Sequence, residues 1–363
     1  MQLLIVYLLI VVSAFMGGSA FAAEKPPAVL SPRSVLPELE DFKGTRFVQA
    51  NKKGDVFVLD GQELVVYRLV SEKLKKVETL EVAVFGTEPW IRSAAMNRSG
   101  DSWLLLDKDR SRLFVRGKEK VLPDPVWSVT GVGFAGDAPL VAQAPGMIQN
   151  AASPIDLEHM PKAPLVSQLQ GRKWEPYSAR EHWRTAHEDN PISQTIVDSE
   201  LLLTGCNDGK VWIGSHYGYR FREFSTSGRQ LFEMEFPVGK SSPEPPAEEI
   251  AGATALTAKA HTSTMTCDRD GTLYVLVAPA ATGTVFSGLD RYDSVTGRVD
   301  RILVDIPSTH RLSSAAGKDG IYIVSFGSKA KGGGAWLIPW EDLRDQPWLE
   351  ITTEIRSGTR LTD

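Results

Sequence analysis

Cysteine is nearly absent: only Cys206 and Cys267 occur among 363 residues. No cysteine pair stands at metal-ligand spacing, so a cysteine-built zinc site is excluded and one bridge is the most the chain can form. Histidine is scarce too, six residues in all, and no H-E-x-x-H motif joins any of them. Lys and Arg are scattered rather than clustered and the net charge is −5, a balance that speaks against nucleic-acid binding. After residue 23 no apolar run is long enough to cross a bilayer as a helix.

The usual catalytic and phosphate motifs are also missing. Gly214-Ser215-His216-Tyr217-Gly218 sets Ser beside His, but it is not a nucleophile elbow, and adjacent strand residues face opposite ways. Val238-Gly239-Lys240-Ser241 has Met234 where a phosphate loop needs Gly, and Asp107 to Ser111 lacks the sixth-position Gly and twelfth-position Glu of a calcium loop. No cofactor and no metal site are therefore expected.

What the chain does have is a recurring turn followed by a strand. The signal runs through Gly54-Asp-Val-Phe-Val, Gly100-Asp-Ser-Trp-Leu, Gly136-Asp-Ala-Pro-Leu, Gly209-Lys-Val-Trp-Ile, Gly271-Thr-Leu-Tyr-Val and Gly320-Ile-Tyr-Ile-Val. The gaps of 46, 36, 73, 62 and 49 residues bracket the period of a four-stranded blade, with loop insertions explaining the two longest. Each turn needs positive φ for a two-residue hairpin, hence Gly with Asp or Asn, and each following strand is β-branched or aromatic. The reading is an all-β, six-bladed β-propeller of four-stranded antiparallel blades. Its innermost strands are expected near Arg46 to Ala50, Arg92 to Asn97, Val129 to Ala135, Leu201 to Cys206, Thr262 to Cys267 and Leu312 to Ala316.

The segment Gly209 to Gly228 resembles the NHL repeat of six-bladed propellers in its Gly209, its Val211-Trp212-Ile213 run, its Arg220 and its closing Gly228. Ser215 and Tyr219 stand where that repeat usually has Asp and Asn. Some NHL-type lyases place histidines around a central metal, so the resemblance implies His261 and His310 as candidates for such a role.

Residues 1–23 carry no charged side chain, and an apolar run from Leu3 to Met16 is followed by small residues and an Ala20-Phe21-Ala22 pattern, which reads as a cleaved secretory signal. The same stretch is almost long enough to anchor, but cleavage is the expectation, with a secreted or periplasmic protein free of the membrane. Residues 24–40 read as a Pro/Ser-rich linker, 41–345 as the propeller and 346–363 as a C-terminal segment. The sixth blade has three evident strands, so its fourth is expected from Trp348 to Ile355 or from Val35 to Phe42. Cys206 and Cys267 precede the turns of consecutive blades, as a disulfide between innermost strands or as two buried thiols.

Tight turns fall on one face of such a propeller and the long connections on the other, where binding residues usually lie. Counting back from the turn glycines puts Arg46, Trp90, Arg92, Trp127, His261, His310 and Arg311 around the channel mouth of the long-loop face. Aromatic, imidazole and guanidinium groups together suit an anionic or aromatic small ligand. The functional expectation is an exported, non-catalytic propeller binding an unidentified small molecule or protein on that face. The alternative is a lyase or hydrolase acting at the channel mouth through His261 and His310, with or without a metal.

Overall fold

Alternation along each strand makes the blades. In Leu273–Val277 every residue is buried: Leu273, Val275 and Val277 pack with Trp212 and Phe221 on one side, Tyr274 and Leu276 with Ile321 and Ile323 on the other. Successive side chains leave opposite faces of a sheet, so a strand sandwiched between two sheets must be apolar on both. Val56 and Val58 against Phe57 and Leu59 repeat the device.

The computed structural model describes residues 29–36, 46–60, 63–81, 91–97, 99–107, 110–115, 118–120, 122–123, 128–144, 164–179, 201–206, 208–215, 220–235, 262–277, 286–293, 296–306, 312–325, 334–351 and 356–357. Two short strands come first, β1 (Val29–Leu30) and β2 (Arg33–Leu36). Blade one holds β3 (Arg46–Ala50), β4 (Asp55–Asp60), β5 (Glu63–Val70) and β6 (Lys73–Glu81); blade two holds β7 (Ile91–Met96), β8 (Ser102–Asp107), β9 (Arg110–Val115) and β10 (Lys118–Lys120). Blade three is β11 (Ser128–Ala135), β12 (Ala138–Ala144), β13 (Pro164–Gln170) and β14 (Lys173–Ala179); blade four is β15 (Leu201–Gly205), β16 (Val211–Ser215), β17 (Arg220–Phe224) and β18 (Gln230–Glu235). Blade five is β19 (Thr262–Cys267), β20 (Leu273–Val277), β21 (Ser287–Asp293) and β22 (Arg298–Val304), and blade six contains β23 (Leu312–Ala316), β24 (Gly320–Ser325) and β25 (Ala335–Pro339). The innermost strands β3, β7, β11, β15, β19 and β23 touch in succession and close the ring. The molecule is a six-bladed β-propeller, and the innermost strands start and stop within one residue of the sequence expectation.

The core is six wedges rather than one mass, an apolar cluster at each blade junction. Near the axis the wedges taper, and the innermost strands turn to small and hydroxyl residues. There the exposed edge of one inner strand is satisfied by its neighbour. Ser313 Oγ accepts the Val48 N–H at 3.1 Å, Ser93 Oγ the Val132 N–H at 3.3 Å, and Thr264 and Thr266 the N–H groups of Ser314 and Ala316. In each case the hydroxyl belongs to the earlier blade and the amide to the next. Between blades three and four the chains instead approach directly: a Cβ on Gly205 would lie 2.5 Å from the Phe134 carbonyl oxygen.

Closure comes from the N-terminal side, but β2 (Arg33–Leu36) shares only Val35 and Leu36 with the expected Val35 to Phe42, whose residues 37–42 lie outside the described residues. β2 runs antiparallel to β25, with Arg33 opposite Leu337 and Ser34 opposite Trp336, and supplies the fourth strand of blade six. It lies inside the stretch 24–40 read as a linker. The C-terminal segment goes elsewhere: β26 (Leu349–Glu350) pairs with β22 of blade five and β27 (Arg356–Ser357) with β18 of blade four. The cause is a short helix, α1 (Trp340–Arg344), that turns the chain away after β25. Trp348 then donates its indole N–H to the Leu343 carbonyl and lies 4.2 Å beneath the Arg291 guanidinium of β21, fixing the tail on blade five. Arg33 of β2 reaches Glu341 at 2.9 Å and Asp342 at 3.1 Å, tying the closing strand to α1.

Candidate functional site

In blades one, two and five the innermost strand ends in a turn whose entry residue organises the loop. Asn51 Oδ1 accepts the N–H groups of Lys53 and Asp55, Asn97 Oδ1 those of Gly100, Asp101 and Ser102, and Asp268 Oδ1 those of Asp270 and Thr272. A short polar side chain that caps its own loop in this way pins the turn without help from the core. It also lengthens it: the Asn51 N–H pairs with the Asp55 carbonyl and the Asp268 N–H with that of Thr272, so these are not the two-residue hairpins expected. Two-residue loops occur in blades three and six, at Gly136-Asp137 and Lys318-Asp319. Gly54, Gly100, Gly136, Gly209 and Gly271 have φ between 62° and 90°, as the turns require.

These turns frame a cavity of about 360 Å³ at one end of the channel, lined by residues from all six blades. The amides of Gln49, Asn51 and Asn97 and the hydroxyl-bearing Thr204 and Thr266 supply its polar wall. Lys52, Arg269 and Lys318 stand exposed on its rim, and among the described residues no carboxylate lines it. Burial above all holds the Asp268 carboxyl above the usual carboxylate range, against the pull of the Thr272 and Asp270 N–H groups.

Cys206 and Cys267 also line this mouth, joined in a disulfide with Cα atoms 5.2 Å apart. Of the two arrangements open from the sequence, the bridge is the one formed. Cys267 ends β19 and Cys206 follows β15, so the bond ties the inner ends of blades four and five, whereas three other junctions show hydroxyl-to-amide bonds.

Of the ring expected from the sequence, only Arg46 and Arg92 are described, and both belong to strand starts at the opposite end. Arg46 opens β3 and Arg92 sits near the start of β7, in the irregular step between Ile91 and Ser93, both far from the tight turns. Trp90, Trp127, His261, His310 and Arg311 lie outside the described residues, as do all six histidines and residues 1–28. Among the described residues no helix is long and apolar enough to cross a membrane, and no group of three His, Cys, Asp or Glu is placed to hold a metal ion. The sequence reading passed over the mouth framed by the tight turns. Its signal was present: the first loop residue of four turns is Lys52, Arg98, Arg269 or Lys318.

Comparison with solved structures returns propellers of remote sequence. The chain is similar to a streptogramin B lyase at 13% identity and a TM-score of 0.45, covering 85% of this chain and 87% of that one. It is similar to virginiamycin B lyase from Staphylococcus aureus at 11% identity and a TM-score of 0.46, over 84% and 97% of the two chains. A calcium-binding protein, regucalcin from Agrobacterium tumefaciens, matches at 11% identity and a TM-score of 0.44, over 86% and 95%. No family model matches the chain, and no curated protein matches it.

Proposed function

We propose that this chain is an exported binding propeller that holds a small molecule in the mouth framed by its inner turns. The observation that carries the reading is the convergence of all six blades on one polar cavity of about 360 Å³, within the size range of small-molecule sites. Six rigid strands position its wall, so a ligand finds its partners already placed and loses little affinity to ordering them. Export is supported by the uncharged, apolar residues 1–23 and by a disulfide, which persists in oxidising compartments. The NHL-like pattern of Gly209 to Gly228 is in keeping with a scaffold that hosts many ligands. This reading moves the site from the long-loop face to the tight-turn face. Nothing among the described residues favours a lyase or hydrolase working through His261 and His310.

The test is a fragment library screened by ligand-observed NMR against the wild type, Thr204→Trp, which fills the cavity, and His261→Ala/His310→Ala, the histidines expected from the sequence on the long-loop face. Fragments lost with Thr204→Trp and kept by the histidine variant support the mouth. Fragments lost only in the histidine variant would return the site to the long-loop face, and a screen without hits would end the small-molecule reading.

A further inference from the structure

Lys52, Arg269 and Lys318 share more than a cavity rim. Each is the first loop residue after the inner-strand position whose backbone closes the turn: Asn51 onto Asp55, Asp268 onto Thr272, and Gly317 onto Gly320. They are therefore one structural position in blades one, five and six, which are neighbours around the ring. Quasi-symmetry of the blades sets equal positions at similar depth and radius, and all three residues line the one cavity. Arg98 holds the same sequence position in blade two and lies outside the described residues. The remaining two blades carry Gly136 and Asn207 there.

Of the carboxylates on these turns, Asp55 is paired with Arg68 and Asp208 with Lys210, whereas Asp268 and Asp319 keep their charge while accepting backbone N–H groups and the Tyr322 hydroxyl; among the described residues no carboxylate lines the cavity itself. Among the described residues none of the three rim cations has an ion-pair partner, although the chain as a whole is acidic at −5. Lys318 extends across the boundary between blades six and one, its Cδ 3.3 Å from where a Cβ on Gly54 would lie, so its stem is laid along the rim rather than into bulk solvent. Like charges gathered at a concave, polar opening raise the local concentration of counter-charged solutes, and Arg adds a two-pronged donor that matches carboxylate or phosphate.

We infer that the mouth selects small polyanions, molecules carrying two or more carboxylate or phosphate groups, through this ring of cations at one turn position. The inference rests on the binding reading above and adds the ligand class. The Gln49 amide and the hydroxyl-bearing Thr204 and Thr266 then read the ligand's neutral part, while Asn51 and Asn97 are engaged in their own turns.

The experiment is calorimetric titration at low ionic strength with a fixed panel: inorganic phosphate, pyrophosphate, malate, citrate, a sugar phosphate and their uncharged analogues. It compares the wild type, Lys52→Gln/Arg269→Gln/Lys318→Gln, Thr204→Trp, and a control, Lys73→Gln/Lys75→Gln/Lys76→Gln, which removes equal charge from the outer strand β6. The expected result is that at least one polyanion binds the wild type and its uncharged analogue does not. Binding falls about tenfold or more in the rim variant and with added salt, is lost in Thr204→Trp, and is unchanged in the control. Neutral ligands lost with Thr204→Trp but indifferent to the rim variant would overturn the ligand class and leave the mouth as a site. Equal losses in the rim and control variants would reduce the effect to net charge and overturn the inference. Absence of any polyanion binding to the wild type would overturn it as well.

Discussion

Asp290 illustrates how a charge is tolerated inside a blade. Its side chain is 1% exposed, and Arg301, directly across on the neighbouring strand, donates from Nε at 2.6 Å and from a terminal nitrogen at 2.8 Å. The fork satisfies both carboxylate oxygens, so the pair meets its desolvation cost only while both partners remain. Arg301→Met should therefore lower stability by about 3 kcal/mol in urea unfolding, because the carboxylate is stranded. The double variant Asp290→Leu/Arg301→Met should recover most of that loss; equal losses in the two variants would show that Arg301 acts through packing alone. The exposed rim cations are in the opposite situation. Removing them leaves no buried charge behind, so their substitution belongs to binding rather than to stability.

At the level of elements, β2 carries a weight out of proportion to its four residues. Val35 is 1% exposed in the wedge between blades six and one, packed with Val48, Tyr322 and Leu337, and Arg33 ties the strand to α1. Deleting residues 29–36 should lower the thermal midpoint far more than deleting residues 346–363, whose strands lie outside complete blades; scanning calorimetry of the two truncations tests the order. The inner strands were legible because Gly turns and apolar runs are local signals that neighbouring residues decide. β2 was legible only as one of two candidates and with other bounds, since Arg33-Ser34-Val35-Leu36 sits in a Pro/Ser-rich stretch with one deeply buried side chain. Only the open edge of β25, about which the local sequence says nothing, makes it a strand. The mouth was missed for a related reason. Counting back to the strand entries leads to the long-loop end, whereas the cations appear only when turns are aligned on the residue that opens the loop.

For the whole molecule, the disulfide closes a 61-residue span that includes most of blade four and its link to blade five. Loop-entropy arithmetic gives such a bridge about 4 kcal/mol, exerted mainly on the unfolded chain. Cys206→Ser/Cys267→Ser, or the wild type with reductant, should show that loss in denaturant unfolding, while ring closure persists through the other junctions. An unchanged midpoint would mean that the unfolded chain is already confined there. Closure itself has a further consequence, and it concerns time. The strand that completes the last blade is made about 300 residues ahead of its partner Leu337. At ordinary synthesis rates β2 waits on the order of tens of seconds for an edge to join. An interrupted chain never acquires that edge, so the seam between blades six and one distinguishes finished molecules from unfinished ones. Truncated products keep an open β-edge and should be the ones removed by proteolysis or lost to aggregation.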